Sequence, residues 1–171
     1  MLIGIISDTH DHAKNLLKAI DVFNDKKVEL VFHCGDWVAP FMPDFCKDLN
    51  CKIISVLGNN EGDAFRFIKS ENENRWNIEF YKRIFVKEID GKKLTVYHGD
   101  DPTILSALIK FGEYDAVFSG HTHVTVNEMH GKTLHVNPGT ICEYVDSKII
   151  DKPTVAIYNT ETNLAEIIDI K

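Results

Sequence analysis

An α/β fold is the class this sequence predicts, and three observations predict it. Apolar runs rich in β-branched residues at 2–6, 28–32 and 53–57 each pass through a polar loop into a helical pattern. Buried strands of a helix-covered sheet read this way. Beyond residue 83 the pattern turns to alternation, with Asp90-Gly91 between two such runs, a strong hairpin signal. Composition is the third: 171 residues, 44% hydrophobic and 26% charged, fit one globular domain over 1–171 with a sizeable core.

The first run ends in Ser7-Asp8-Thr9-His10-Asp11-His12. A helix is expected over 12–23, with Leu16, Leu17, Ile20 and Phe23 on one face. Asp11 is its expected cap, which frees Asp8 for another task, and His12 reads as a first-turn surface residue. The second run closes in His33-Cys34-Gly35-Asp36. The apolar loop 37–41 follows, readable as a pocket wall, a dimer contact or simple packing. A helix over 43–50 then carries Pro43 in its first turn, where proline is tolerated.

The third run ends in Gly58-Asn59-Asn60-Glu61-Gly62-Asp63, with a weak helix to about residue 70 and a polar loop at 71–74. Strands are expected at 83–89 and 93–97, the second ending in His98-Gly99-Asp100. A helix over 103–111 leads to a strand at 116–118 and to Gly120-His121-Thr122-His123. Short, largely antiparallel strands are expected at 124–128, 133–136, 154–158 and 164–170. His130 falls at a hairpin, His135 in a strand of open orientation, and 137–140 in a turn.

Strands therefore end in Asp8-x-His10, Gly35-Asp36, Gly58-Asn59, His98 and Gly120-His121-x-His123. Each motif alone is weak, because aspartate and asparagine also cap helices and shape turns. As an ordered set they have the logic of a two-metal site. Ligands in α/β sheets gather where strands end, and imidazole binds metal near neutrality. Asp8, His10, Asp36, Asn59, His98, His121 and His123 offer seven oxygen and nitrogen ligands and no thiolate. Such a set suits Mn, Fe, Co, Ni or Zn better than Ca or Mg, and one carboxylate must bridge the two ions.

In this order the motifs resemble the signature of the calcineurin-like metallophosphoesterases, and the short chain with its Ser7-to-His12 opening resembles their small prokaryotic phosphodiesterase branch. The resemblance covers roughly residues 1–140. It implies a four-layer α-β-β-α sandwich, with two mixed β-sheets packed face to face between helices. It also implies one metal held by Asp8, His10, Asp36 and His123, and a second by Asp36, Asn59, His98 and His121, with Asp36 bridging. Two divalent ions are expected, manganese first, with Ni, Co, Fe or Zn as alternatives. A phosphodiester would then be hydrolysed by a metal-bridging hydroxide, with Asp36, Asn59, Asn60 and His98 as the catalytic set and Asn59 orienting the phosphate.

The chain departs from that pattern twice. Asn60 stands where many members have a histidine that protonates the leaving oxygen, so poor leaving groups should react slowly unless His12 or another residue substitutes. Asp100 stands where the branch often has a second histidine, which sets a negative charge at the rim or in solvent. A phosphomonoesterase or nucleotide phosphatase at the same site is the alternative activity. A non-catalytic scaffold of the same fold is disfavoured by the complete ligand set.

The net charge of −7 argues against general nucleic-acid binding and leaves a small phosphodiester or nucleotide-like substrate. Cys34, Cys46, Cys51 and Cys142 form no C-x-x-C pair and suggest no disulfide framework. No signal-peptide pattern or long apolar run occurs, so no membrane partner and a cytoplasmic location are expected. A homo-oligomer is left open.

Overall fold

The computed structural model describes residues 1–73, 75–145, 148–149 and 152–170. β1 (Leu2–Ile6) runs parallel to β2 (Leu30–His33), and β2 parallel to β3 (Lys52–Val56). Their alternating positions are buried on both faces, which explains their continuous apolar character. A further parallel strand, β4 (Ile78–Tyr81), sits at one edge of this sheet. The other side is closed by antiparallel strands from the chain's end. These are β12 (Thr154–Asn159) and β13 (Leu164–Asp169).

The second sheet holds β5 (Ile84–Ile89) and β6 (Lys92–Tyr97), the hairpin expected around Asp90-Gly91. Next come β7 (Ala116–Phe118) and β9 (Thr133–Pro138), parallel to their neighbours, and then antiparallel β8 (Thr125–His130). A small hairpin of β10 (Tyr144–Val145) and β11 (Lys148–Ile149) stands apart from both sheets.

The packing gives four layers. Outside the first sheet lie α1 (Ala13–Asp25), a 3₁₀ helix (Met42–Asp48) and α2 (Ala64–Asn72). There Leu16, Ile20, Phe23 and Phe67 pack on Ile6, Val31 and Ile53. Between the sheets Ile3, Ile5, Phe32 and Val56 meet Phe85, Leu94, Val96 and Phe118. On the far side, Ile109 of α3 (Pro102–Lys110) packs with Tyr114 and Val117. The four-layer α-β-β-α sandwich is thus the fold.

Several local expectations change. The residue capping α1 is His12, whose Nδ1 accepts from Asn15 N at 3.3 Å. Asp11 faces the other way and accepts from Ala39 N at 2.8 Å. The segment expected as a helix over 43–50 is a seven-residue 3₁₀ helix ending in extended Leu49, a form common in short connectors. Residues 71 and 72 continue α2, while Asn74 lies outside the described residues. Asn137 and Pro138 extend β9 rather than turn. The strand β4 and the hairpin of β10 and β11 were not expected, since each is too short to establish a period.

Candidate metal centre

Parallel strands send their C-terminal ends to one edge, and the two sheets bring their edges together. The loops after β1, β2 and β3 carry Asp8, His10, Asp36 and Asn59; those after β6 and β7 carry His98, His121 and His123. The first two loops are knitted by backbone bonds, Asp8 N to Gly35 O at 3.0 Å and His10 N to Asp36 O at 3.1 Å. Asp8, His10, Asp36, His121 and His123 all take positive φ, between 40° and 66°, and Val38 reaches 72°. Left-handed backbone is uncommon outside glycine and, for a β-branched residue, a true outlier. Such strain concentrates at functional sites.

Two glycines let the loops close. A Cβ on Gly58 would lie 2.6 Å from Asp36 N, and one on Gly120 would lie 2.6 Å from Asp8 Oδ2 and collide with Ser7 Oγ. Only a bare backbone fits at either place.

All seven candidate ligands converge. His123 Nε2 stands 3.1 Å from Asp8 Oδ1 and 3.2 Å from His10 Nε2. His10 Nε2 is 3.5 Å from Asp36 Oδ2, and His98 Nε2 is 3.4 Å from Asp36 Oδ1. Asn59 Oδ1 faces His98 Nε2 and His121 Nδ1, each at 2.9 Å. Ligand atoms of Asp8, His10 and His123 lie within 4.8 Å of one another, as do those of Asp8, Asp36 and His98.

These contacts fit bound cations better than a closed hydrogen-bond network. Asp8 Oδ2 is occupied by Ser7 Oγ at 2.5 Å and His121 N at 3.0 Å, whereas the buried Oδ1 accepts no well-directed hydrogen bond. His98 Nδ1 bonds Cys34 O at 2.8 Å, so its N–H is spent there. When the ring is neutral, Nε2 turns a lone pair toward the Asn59 oxygen at 2.9 Å, an arrangement that a cation between the two would satisfy. Backbone carbonyls fix metal-binding histidines in this way. The field agrees. Burial alone would raise both carboxyls, yet His10 and His123 hold Asp8 well below the usual range, and His98 and Asn60 hold Asp36 at about 2. Burial pushes the His10 and His98 imidazoles down, but Asp8 and Asp36 bring them up overall. The cluster favours positive charge.

Asn60 is placed on Asp36, donating its backbone N–H to Oδ1 and its amide to Oδ2, both at 2.8 Å. His12 turns its Nε2 to Glu143 at 3.5 Å. Asp100 is paired with Arg83 at 3.1 Å, which offsets its charge. Trp37 is fully buried, stacked on His33 at 3.7 Å and bonded to Ser55. Trp37 is therefore core, whereas Val38 of the same loop lines a cleft with His10, Asn59 and Asn60 and Phe41 is exposed. His135 points inward to Ser119 at 2.9 Å.

Sequence reasoning missed three supports. Glu61 accepts the N–H groups of Asp36 and Gly58 on Oε1 and of Trp37 and Val38 on Oε2, at 2.9–3.1 Å. It clamps two ligand loops together. Its signal was faint: an acid three residues past Gly58 in a run that otherwise reads as turn. His33 bonds Thr9 Oγ1 at 2.7 Å beneath Asp8 and His10. Asn137 donates to Gly120 O at 2.7 Å and so steadies the last loop. Above the cluster opens a cleft of about 470 Å³ lined by His10, Asp36, Asn60, His121, Thr122, His123 and Tyr144.

Comparison with known proteins agrees with this geometry. The profile of the calcineurin-like phosphoesterase superfamily domain matches residues 1–163. A phosphodiesterase of Methanocaldococcus jannaschii is 42% identical over 164 residues, 94% of either chain. A probable metallophosphoesterase of the same organism is 36% identical over 149 residues, 82% of this chain and 68% of its own length. A solved structure described as a novel archaeal phosphodiesterase superposes with a TM-score of 0.87 at 40% identity, covering 99% of both chains. Zinc-bound Vps29 from Entamoeba histolytica shares the fold alone, with a TM-score of 0.67 at 17% identity over 100% of both chains. The chain belongs to the calcineurin-like phosphoesterase superfamily. No described helix is long and apolar enough to cross a membrane.

Proposed function

We propose that this protein is a phosphodiesterase dependent on two divalent metal ions, manganese foremost. The observation that carries the reading is the cluster itself, seven metal-ligating side chains gathered in two linked groups, with the buried Asp8 Oδ1 accepting no well-directed hydrogen bond. Asp8, His10, Asp36 and His123 would hold one ion; Asp36, Asn59, His98 and His121 would hold the other. Bound there, the pair would lower the pKa of water and neutralise charge growing on phosphate oxygens.

The chain's own groups do the positioning. Asn60 and Glu61 fix Asp36 from its carboxylate and its backbone N–H respectively. Asn59 turns its oxygen to His98 and His121, which leaves its amide nitrogen free to donate to a phosphate oxygen. Asn60 holds no proton that it can give up at neutral pH, so departure depends on the leaving group's own stability. Aryl diesters should therefore react faster than alkyl ones. The four cysteines are free thiols, which suits a reducing compartment, and we place the activity in the cytoplasm.

The test is hydrolysis of bis-(p-nitrophenyl) phosphate by chelator-stripped protein, with Mn²⁺, Ni²⁺, Co²⁺, Zn²⁺ or Mg²⁺ restored separately. Turnover that returns with metal and is lost in D36A supports the proposal. Faster turnover of p-nitrophenyl phosphate would favour a phosphomonoesterase instead. Silence with every ion, in protein that retains no metal, would favour a scaffold.

A further inference from the structure

Tyr144 is the lining residue of the cleft that the ligand-bearing loops do not supply. The rest of the lining, His10, Asp36, Asn60, His121, Thr122 and His123, is polar. Tyr144 is 61% exposed, so its ring offers the large apolar face that this cleft otherwise lacks.

The ring's attachment point is built rather than loose. Thr140 Oγ1 donates to the backbone oxygen of Asp8 at 2.9 Å and accepts from Cys142 N at 3.0 Å. Cys142 Sγ in turn donates to Tyr144 O at 3.0 Å and accepts from Tyr144 N at 3.4 Å. Thr140 and Cys142 are both buried. Hydrogen bonds through Thr140 and Cys142 thus tie the backbone of Tyr144 to that of Asp8, and the neighbouring Glu143 lies 3.5 Å from His12 Nε2.

A tyrosine loses little conformational freedom when it serves as a contact surface, and a flat ring gains by stacking on it. We propose that Tyr144 is a specificity-determining residue, a platform for a planar group, above all a nucleobase, esterified to the phosphate held over Asp36 and Asn59. This rests on the phosphoester reading of the site and narrows its substrate class.

The probes are adenosine 5′-monophosphate and ribose 5-phosphate, which share a sugar phosphate and differ in the base. Their binding to manganese-loaded protein is measured by calorimetry, and again as inhibition of aryl diester hydrolysis. Stacking on an aromatic side chain is worth about 1–3 kcal/mol, so the nucleotide should bind at least about fivefold more tightly than the sugar phosphate. Y144A should bring that ratio close to one, while Y144F should keep it. Equal binding of the two probes to the unaltered protein, or a ratio that survives Y144A, would overturn the platform and leave the phosphoester site standing. Loss of the ratio in Y144F would assign the effect to the hydroxyl and overturn it equally. Failure of both probes to bind while aryl diester hydrolysis persists would overturn the platform and leave the phosphodiesterase reading standing; absence of that hydrolysis as well would overturn the reading itself, and this inference with it.

Discussion

At the scale of single residues, Glu61 shows how much of the site depends on groups that touch no substrate. Its carboxylate gathers four backbone N–H groups from two ligand loops, and glutamine can satisfy them only in part. E61Q should weaken divalent metal affinity by about ten- to a hundredfold, the usual loss when a ligand's support is removed, with E61D in between. Chelator competition measures this, and unchanged affinity in E61Q would refute the clamp.

Asn60 carries a second expectation. N60H would restore an ionisable group at the cleft and should raise turnover of diesters with poor leaving groups more than that of aryl diesters. Steady-state rates on a series graded by leaving-group pKa measure the difference.

The third concerns acid. Burial first, with His130 nearby, lowers His135 to about 4 against an ordinary 6.5. The unfolded chain takes up this proton before the folded one does. Stability contributed by the neutral imidazole is therefore intact above about pH 6.5 and drains away as pH falls towards 4, on the order of 3 kcal/mol in all. H135Q should flatten the dependence of unfolding free energy on pH in that window, read by denaturant titration.

At this scale the candidate ligands could be singled out, because Asp-x-His and His-x-His at strand ends combine two weak signals that reinforce each other. Glu61, His33 and Asn137 were not. Their partners, the Asp36 N–H, Thr9 Oγ1 and the Gly120 carbonyl, lie 25, 24 and 17 residues away, a relation that no local pattern records.

At the scale of elements, the loops matter more than the strands. Five candidate ligands hold left-handed backbone, and a sequence shows such conformations openly only at glycine. Gly58 and Gly120 were legible only as members of their motifs, while their real task, admitting Asp36 and Asp8 at close range, needed the folded loops to appear. G58A and G120A should each destabilise the protein by about 1–3 kcal/mol through overpacking and should lower metal affinity as well. Thermal unfolding with and without metal would check both. The four-residue β4 and the two-residue strands of the small hairpin escaped notice because alternation needs more positions to stand out.

At the scale of the whole molecule, the apolar layer between the sheets is what brings the two halves of the centre into register. Phe32, from the sheet that carries Asp36, contacts Phe85 and Phe118 of the opposing sheet, with ring centroids 5.6 and 5.4 Å apart. The centre therefore inherits its precision from packing below it. That two sheets would form was implied by the family resemblance that the ordered motifs carry, whereas their facing residues follow from tertiary pairing alone.

The claim on which everything above depends is that these seven side chains hold two ions through a shared Asp36. The most direct measurement is metal stoichiometry, by elemental analysis of protein reloaded with Mn²⁺ after chelation, alongside folded D36A and H123A. The account predicts two ions per chain, both lost or greatly weakened in D36A and one weakened in H123A. A single ion per chain, or full occupancy in folded D36A, would contradict it.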